Sequence, residues 1–379
     1  MSQGQGILLT GATGFLGGDL LTRLLERSPE ATVYCLVRAR KPEFLERRRQ
    51  ALLDWAEVSM ADRERVVALA GSIEAADLGL GGRYDELARD VVEVYHAAAS
   101  TKFDLALEDA RRVNRDGASH VAAFAQRALE RGGLRRMHHV STAYVAGDAA
   151  SPLREDDVPA EPVFRNTYEQ TKFEGEQALT ELGERLPLTR YRPSIMVGDS
   201  RSGRTLHFRV LYDPMKWVYF GKTDVLPCRP DVRLDVVPID FVCDALVELG
   251  SRDESLGEVY HLTAGAGRTL TIEEMVELAV AEGNRYHREI GGPPIATPTI
   301  VSPDRVHAAT DEERARVEQL FSLGQAVMRA HVPYMLSEQI FDSSRAHDAL
   351  AGSGVACPPL GDYFTRLVRW GVERNFGES

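Results

Sequence analysis

Apolar residues along this chain follow two alternating rhythms. Runs at 6–10, 31–37, 65–70, 91–95, 137–141 and 188–191 are short and dense in apolar side chains, as in strands buried on both faces. Between them, at 15–25, 42–58, 105–131 and 166–185, apolar residues recur at helical spacing. Strands alternating with helices predict an α/β fold built on a doubly wound parallel sheet, with ligands at the carboxyl ends of its strands. Residues 10–17, 96–100 and 141–147 occupy such ends. After about residue 198 the rhythm breaks up. The expected organisation is therefore a sheet domain over 1–198 that holds the chemistry, then a smaller substrate-binding cap over 199–379. Residues 234–265 are expected to return to the first domain.

The first strand runs into Thr10-Gly-Ala-Thr-Gly14-Phe-Leu-Gly17, and a helix-spaced segment follows. In such a turn Gly11 permits the tight bend, Gly14 lets backbone approach phosphate oxygens, and Gly17 lets the helix lie close to the strand. The helix start then offers unpaired N–H groups and positive dipole charge to a pyrophosphate. The turn thus predicts a Rossmann-type dinucleotide site at Gly11, Thr13, Gly14, Phe15, Leu16 and Gly17. The second strand ends at Arg38, where a carboxylate would bond a ribose 2′-hydroxyl and a guanidinium accommodates a 2′-phosphate. NADPH is accordingly the expected cofactor, with Arg48 the choice among Arg47, Arg48 and Arg49 for a second phosphate contact.

Composition narrows the class. Of 379 residues 44% are hydrophobic and 27% charged, ordinary for a globular enzyme with an ample core. A formal net charge of −12 argues against nonspecific nucleic-acid binding. The four cysteines, Cys35, Cys228, Cys243 and Cys357, are widely separated and suggest neither a disulfide framework nor a zinc site. The first six residues leave no room for a signal peptide, and no apolar run reaches membrane-spanning length. A cytoplasmic protein without membrane contact is expected. Adjacent His138 and His139 point to opposite faces of a strand and do not share an ion, so no metal is expected.

Tyr168 and Lys172, four residues apart, share one face of the helix at 166–185. A phenol near its reference pKa of about 10 is a poor acid-base group at neutral pH, and an ammonium held close would lower that value. Thr142 stands at the carboxyl end of the fifth strand.

These features, with His96-Ala-Ala-Ala99, Asn114, Arg192-Pro-Ser194 and Val237-Pro-Ile-Asp240, occur in an order that resembles the extended short-chain dehydrogenases/reductases. The match covers about residues 6–265. Cys35-Leu-Val-Arg-Ala39, Val140-Ser-Thr-Ala-Tyr-Val-Ala-Gly147, Tyr191-Arg-Pro-Ser-Ile-Met-Val-Gly-Asp199 and Phe341-Asp-Ser-Ser-Arg345 are similar to its thioester-reducing branch. That branch includes fatty acyl-CoA reductases and the terminal reductase domains of carboxylic acid reductases and nonribosomal synthetases. The resemblance implies a catalytic set of Thr142, Tyr168 and Lys172, with Asn114 fixing backbone geometry or a water. It implies that Lys172 bonds the nicotinamide ribose, that Pro193, Ser194 and Ile195 lie near the nicotinamide, and that Ala97, Ala98 and Ala99 border the dinucleotide. Where the branch carries an acidic residue at the adenine, this chain reads Gly71-Ser72-Ile73, which leaves the Ser72 hydroxyl or the Ile73 backbone for that contact.

The implied reaction is NADPH-dependent reduction of an acyl-CoA or acyl-carrier-protein thioester to an aldehyde, or on to an alcohol. Alternatives are a carbonyl reductase of a secondary metabolite, a sugar-nucleotide epimerase or dehydratase, and a noncatalytic dinucleotide sensor. The segment 206–220 is rich in large apolar groups and suits cap packing, the wall of an acyl channel or, ranked third, a surface that touches lipid. Arg201, Arg204 and Arg209 are candidates to meet phosphates of the thiol carrier. The oligomeric state is not legible in the chain.

Overall fold

A computed structural model describes residues 5–39, 41–182, 186–302 and 332–378. Strands β1 (Gly6–Thr10), β2 (Thr32–Val37), β3 (Val66–Ala70), β4 (Val91–His96), β5 (Arg136–Val140) and β6 (Leu188–Pro193) form the main sheet, with Val259–Leu262 as a seventh strand beside β6. Read across the sheet the order is β3-β2-β1-β4-β5-β6 and then Val259–Leu262, with every pair parallel. The chain therefore winds outward from β1 in both directions. The crevice between the carboxyl ends of β1 and β4, where Thr10 is paired with His96, is the point at which the winding reverses and a ligand has room to bind.

The helices are α1 (Phe15–Arg27), α2 (Pro42–Trp55), α3 (Arg83–Asp90), α4 (Leu107–Arg111), α5 (Gly117–Glu130), α6 (Thr167–Glu181), α7 (Tyr212–Tyr219), α8 (Ile239–Gly250) and α9 (Ile272–Ile290). Alternation along β1 explains the two layers. Ile7 and Leu9 join Leu20, Leu21 and Leu24 of α1 and Val242 and Leu246 of α8 on one face. Leu8 joins Val121 and Phe124 of α5 and Leu179 of α6 on the other.

Two local outcomes differ from the sequence pattern. The single helix expected over 105–131 is interrupted by a π-helical turn, Arg112–Asp116, between α4 and α5. The extra residue in that turn brings Asn114 inward, where it is buried. Gly175 of α6 makes room for it, since a Cβ there would lie 2.8 Å from the Asn114 carbonyl oxygen. In the second, the Val236–Pro238 strand pairs with Ile195–Val197, away from the main sheet.

Further walls come from α7, α9 and the helix Phe364–Glu373, which pack through Tyr212, Met275, Leu367 and Val368. Thr271 and Glu274 close a reciprocal capping box at the start of α9. Residues 303–331 of the expected cap lie outside the described residues. Among the described residues no helix is long and apolar enough to cross a membrane.

Candidate active site

The glycine turn is tight enough to dictate its own sequence. Gly11 has φ +76°, and a Cβ on it would stand 2.6 Å from the Ala98 amide nitrogen. A Cβ on Gly17 would lie 2.3 Å from the Gly11 carbonyl oxygen, so α1 can approach β1 this closely only without a side chain there. Gly14 caps α1 in an extended conformation and its N–H donates to the Gly11 carbonyl at 2.8 Å. Thr13 is exposed and Phe15 half-buried, whereas the Leu16 side chain is in the core, leaving only its backbone for a ligand. A cradle that any Cβ would fill, at a helix start and a switch point, fits a pyrophosphate.

The loop after β4 is tied to this turn. Thr10 Oγ1 and His96 Nδ1 share a 2.8 Å hydrogen bond, and the Ala98 N–H donates to Thr10 Oγ1 at 3.3 Å. Ala97 and Ala98 are half-buried and Ala99 is exposed along this edge. Asn114 clasps the next residue on both sides: its Oδ1 accepts from the Ser100 N–H at 2.8 Å, and its Nδ2 donates to the Ser100 carbonyl at 3.0 Å. The same amide donates to Thr171 Oγ1 on α6 at 2.9 Å. Of the two roles open to Asn114, holding backbone geometry is the one its hydrogen bonds perform.

At the other end of the turn, Arg38 is exposed and reaches Glu74 at 3.8 Å, while Arg112 meets the same carboxylate at 3.3 Å. Arg48 donates to the Arg38 carbonyl, which orders the end of β2. Glu74 and Arg112 were missed in the sequence because one follows β3 and the other begins the π turn, nearly forty residues later. The Ser72 hydroxyl accepts from the Glu74 N–H at 3.2 Å. The Ile73 side chain packs on Gly117, and its carbonyl is bonded to His120 at 2.8 Å.

The reaction end is built on α6 and on the chain after β5. Asn166 caps α6 by accepting from the Glu169 N–H at 3.0 Å, which sets Tyr168 in the first turn. Thr142 caps the short turn Ala143–Ala146, donates to the Pro193 carbonyl at 3.4 Å and lies against the Tyr168 phenol. Tyr168 is half-buried and its ring stands 5.9 Å from that of Phe103. Lys172 is buried and its ammonium donates to the Val140 carbonyl at 2.7 Å.

The protonation pattern differs from the expected acidic phenol. Burial pushes Tyr168 up to about 12, opposed by the Thr142 hydrogen bond and reinforced by the Glu169 carboxyl. Burial pulls Lys172 down to about 8, opposed by Glu176. Desolvation outweighs attraction because the ammonium is turned to Val140 rather than to the phenol. Burial and the Lys172 charge bring His96 down to about 3 and carry His139 well below its usual range, so neutral imidazoles surround the lysine.

Two buried arrangements escaped the sequence pattern. Arg192 of β6 forms a two-pronged pair with Glu176 of α6 at 2.9 and 2.6 Å, both side chains almost fully buried. Glu169, next to the candidate tyrosine, is fully buried and accepts hydrogen bonds from Tyr334 and from the Arg165 backbone. Asn166 donates to the same Tyr334 hydroxyl at 2.7 Å. Glu176 lies four residues beyond Lys172 on α6, a spacing that places both on one face, but nothing local signals Tyr334, 165 residues from Glu169.

Pro193 ends β6, the Ser194 N–H donates to the Leu262 carbonyl at 3.4 Å, and Ile195 lines an apolar chamber. The chamber runs between α7, α9 and the helix Phe364–Glu373. Part of the 206–220 segment forms its wall through Val210, Leu211, Met215 and Val218. A second, open groove is bordered by Lys102, Phe103, His207, Arg209 and Lys216. Arg204 is occupied elsewhere, stacked 4.0 Å from the Trp55 ring and 3.1 Å from Glu57, and Arg201 is exposed in the Asp199 turn. Among the described residues no cluster of three or more His, Cys, Asp or Glu is arranged to hold a metal ion.

Sheet order, glycine turn and the Tyr168–Lys172 helix together define the extended short-chain dehydrogenase/reductase class of oxidoreductase, which uses a nicotinamide dinucleotide. The chain belongs to the family described as "Male sterility protein", whose match spans residues 9–246. It is 31% identical over 271 residues to a component of the linear gramicidin synthase of Brevibacillus parabrevis, covering 69% of this chain and 5% of that one. It spans about a quarter of several other relatives. The terminal R domain from the myxalamid PKS-NRPS biosynthetic pathway superposes with a TM-score of 0.80 at 27% identity, covering 99% of this chain and 92% of that one. The fold is also that of UDP-glucuronic acid 4-epimerase from Bacillus cereus in complex with NAD, with a TM-score of 0.65 at 17% identity over 97% of this chain and 96% of that one.

Proposed function

We propose that this chain is an NADPH-dependent reductase that converts an acyl thioester to an aldehyde. The observation that carries the reading is the Thr142 hydroxyl against the Tyr168 phenol, with the Lys172 ammonium buried on the Val140 carbonyl a helical turn away and an apolar chamber bordered by Ile195. Gly11 to Gly17 would hold the pyrophosphate, Arg38 with Arg112 the 2′-phosphate, and Lys172 the nicotinamide ribose. The reduced nicotinamide supplies hydride to the acyl carbon.

The chain's own residues manage the charge that results. As the carbonyl oxygen becomes an oxyanion, the Thr142 hydroxyl and Tyr168 phenol stabilise it in a site largely shielded from water. Tyr168, protonated throughout the physiological range, gives its proton to that oxygen, leaving a hemithioacetal. The carbon–sulfur bond then breaks, the sulfur leaves as a thiol and the oxygen becomes the aldehyde carbonyl. The buried Lys172 ammonium, one helical turn further along α6, favours that transient negative charge through its own positive one, and Asn114 keeps the strand-end loop in register. A thioester arm reaching this site through the open groove would pass Lys102 and Arg209, which suit the phosphate of a phosphopantetheine. The chain's relatives include a synthase polypeptide many times its length, which makes a carrier-borne thioester the favoured donor.

Product analysis by mass spectrometry after incubation with NADPH and acyl-pantetheine, acyl-CoA and acyl-carrier thioesters tests the reading. Aldehyde or alcohol from any of them, lost in Tyr168→Phe with cofactor binding intact, is the expected result. Turnover of UDP-sugars with none of thioesters would overturn it.

A further inference from the structure

We propose that the acyl group taken by this site is an unfunctionalised hydrocarbon chain, housed in the chamber between α7, α9 and the helix Phe364–Glu373. The inference deepens the thioester reading and rests on it. The chamber is built from one uninterrupted apolar stripe of α9, Ile272, Met275, Val276, Ala279 and Val280, faced by aliphatic, methionine and aromatic side chains. These positions follow i, i+3, i+4, i+7 and i+8, so the stripe runs on the order of 12 Å along the helix. Among the described residues the lining carries no charged side chain, and its polar side-chain atoms are the hydroxyls of Tyr219 and Tyr334. The Tyr334 hydroxyl is already bonded to Glu169 and Asn166. Backbone along α9 and the helix Phe364–Glu373 is paired within each helix.

Such a lining discriminates between the two broad kinds of acyl group a thioester carries. A peptidyl group would bring several amide N–H and carbonyl groups into a space where, among the described residues, the Tyr219 hydroxyl is the side-chain partner on hand, and each group left unpaired would weaken binding by about tenfold. A carbon chain loses nothing on entry and gains about fourfold in affinity per methylene removed from water. Methionines Met215, Met275 and Met335 let the walls adapt to a flexible chain.

The chamber also ends where the chemistry begins. Ile195 lies two residues beyond Pro193, whose carbonyl takes the Thr142 hydrogen bond. Tyr334, on the same border, stands 5.7 Å ring to ring from Phe103, which in turn faces Tyr168 at 5.9 Å. A chain seated along α9 therefore presents its thioester end toward Thr142 and Tyr168.

The test uses S-alkyl-pantetheine thioethers, from butyl to hexadecyl, and an S-dipeptidyl analogue of matched length. These compounds cannot be reduced, so calorimetric binding to the whole chain reads the chamber whether or not thioesters turn over. Affinity is expected to rise about fourfold per methylene until the chamber is full, with the dipeptidyl analogue at least a hundredfold weaker than the alkyl compound of equal length. Ala279→Phe should remove the gain from long chains and leave the S-butyl compound unchanged. Ala279→Leu, a smaller intrusion, should shorten the optimum if the phenylalanine variant does not fold. A flat series, or a dipeptidyl analogue that binds as tightly as the alkyl one, would overturn the inference. Loss of thioester turnover in the product assay, with this chain-length dependence retained, would count against the proposed reaction and not against the chamber's selectivity.

Discussion

At the scale of single residues, the proposed reduction depends on the protons the site keeps. Tyr168, raised to about 12, holds its proton across the working range, which suits a group that must donate one. Lys172, lowered to about 8, is the group that titrates, with neutral His96 and His139 and the carboxylate of Glu176 as its charged and titratable surroundings. Its protonated form, present below about 8, is the one that favours a transient phenolate. The sign follows: kcat/KM for reduction should be level below pH 8 and fall about tenfold per unit above it. In Lys172→Met the rate should drop by about 10² or more and that fall should vanish, as a pH–rate profile would show. Cofactor choice belongs to this scale too. Arg38→Asp should cut kcat/KM with NADPH by about 10- to 100-fold, the worth of a hydrogen bond to a charged group, and spare NADH. Residue spacing and family resemblance marked Tyr168, Lys172, Thr142 and Arg38 as candidates. They did not reveal the protonation of Tyr168, because desolvation depends on what the rest of the chain piles around the phenol.

At the scale of elements, short dense runs announced the strands because both faces of this sheet are covered, which leaves little room for polar residues. The π turn was illegible, since 105–131 keeps its helical spacing on either side of an insertion only one residue long. Its partner, Gly175, reads in sequence as an ordinary weak point of α6, and only the contact with the Asn114 carbonyl explains it. Packing between α6 and β6 depends on a charge pair in the same way. Arg192 and Glu176 are both almost fully buried, so removing one leaves the other ionised in a poor solvent. Arg192→Leu should cost about 3–5 kcal/mol in denaturant unfolding, and the double change Arg192→Leu with Glu176→Met should recover most of it. Equal losses from the single and double variants would show that the pair is not coupled.

For the whole molecule, the sheet was visible in the sequence, whereas of the apolar chamber only the wall from 206–220 was. The sheet is assembled by runs that each carry their own signal, whereas the chamber takes its walls from Ile195, from 210–226, from 272–295 and from 334–376, none of which forms a closed surface alone. Tyr334 is the side chain by which the late segment grips the reaction end. Its hydroxyl donates to buried Glu169 and accepts from Asn166, its ring packs edge-on against Tyr144 at 5.2 Å, and the Arg165 guanidinium lies 5.4 Å from its centre. Asn166 and Glu169 flank Tyr168, so this contact couples the seating of the chamber wall to the first turn of α6. Tyr334→Phe keeps the ring and removes the hydroxyl, leaving Glu169 with Arg165 alone. Loss of a hydrogen bond to a charged acceptor should raise KM for the thioester about tenfold or more, while NADPH affinity, assigned above mainly to the Gly11–Gly17 turn and Arg38, stays unchanged. Hydrogen exchange should quicken at 332–336 and in the first turn of α6 together. Exchange that quickened in one segment and not the other would mean the two are not joined through this hydroxyl.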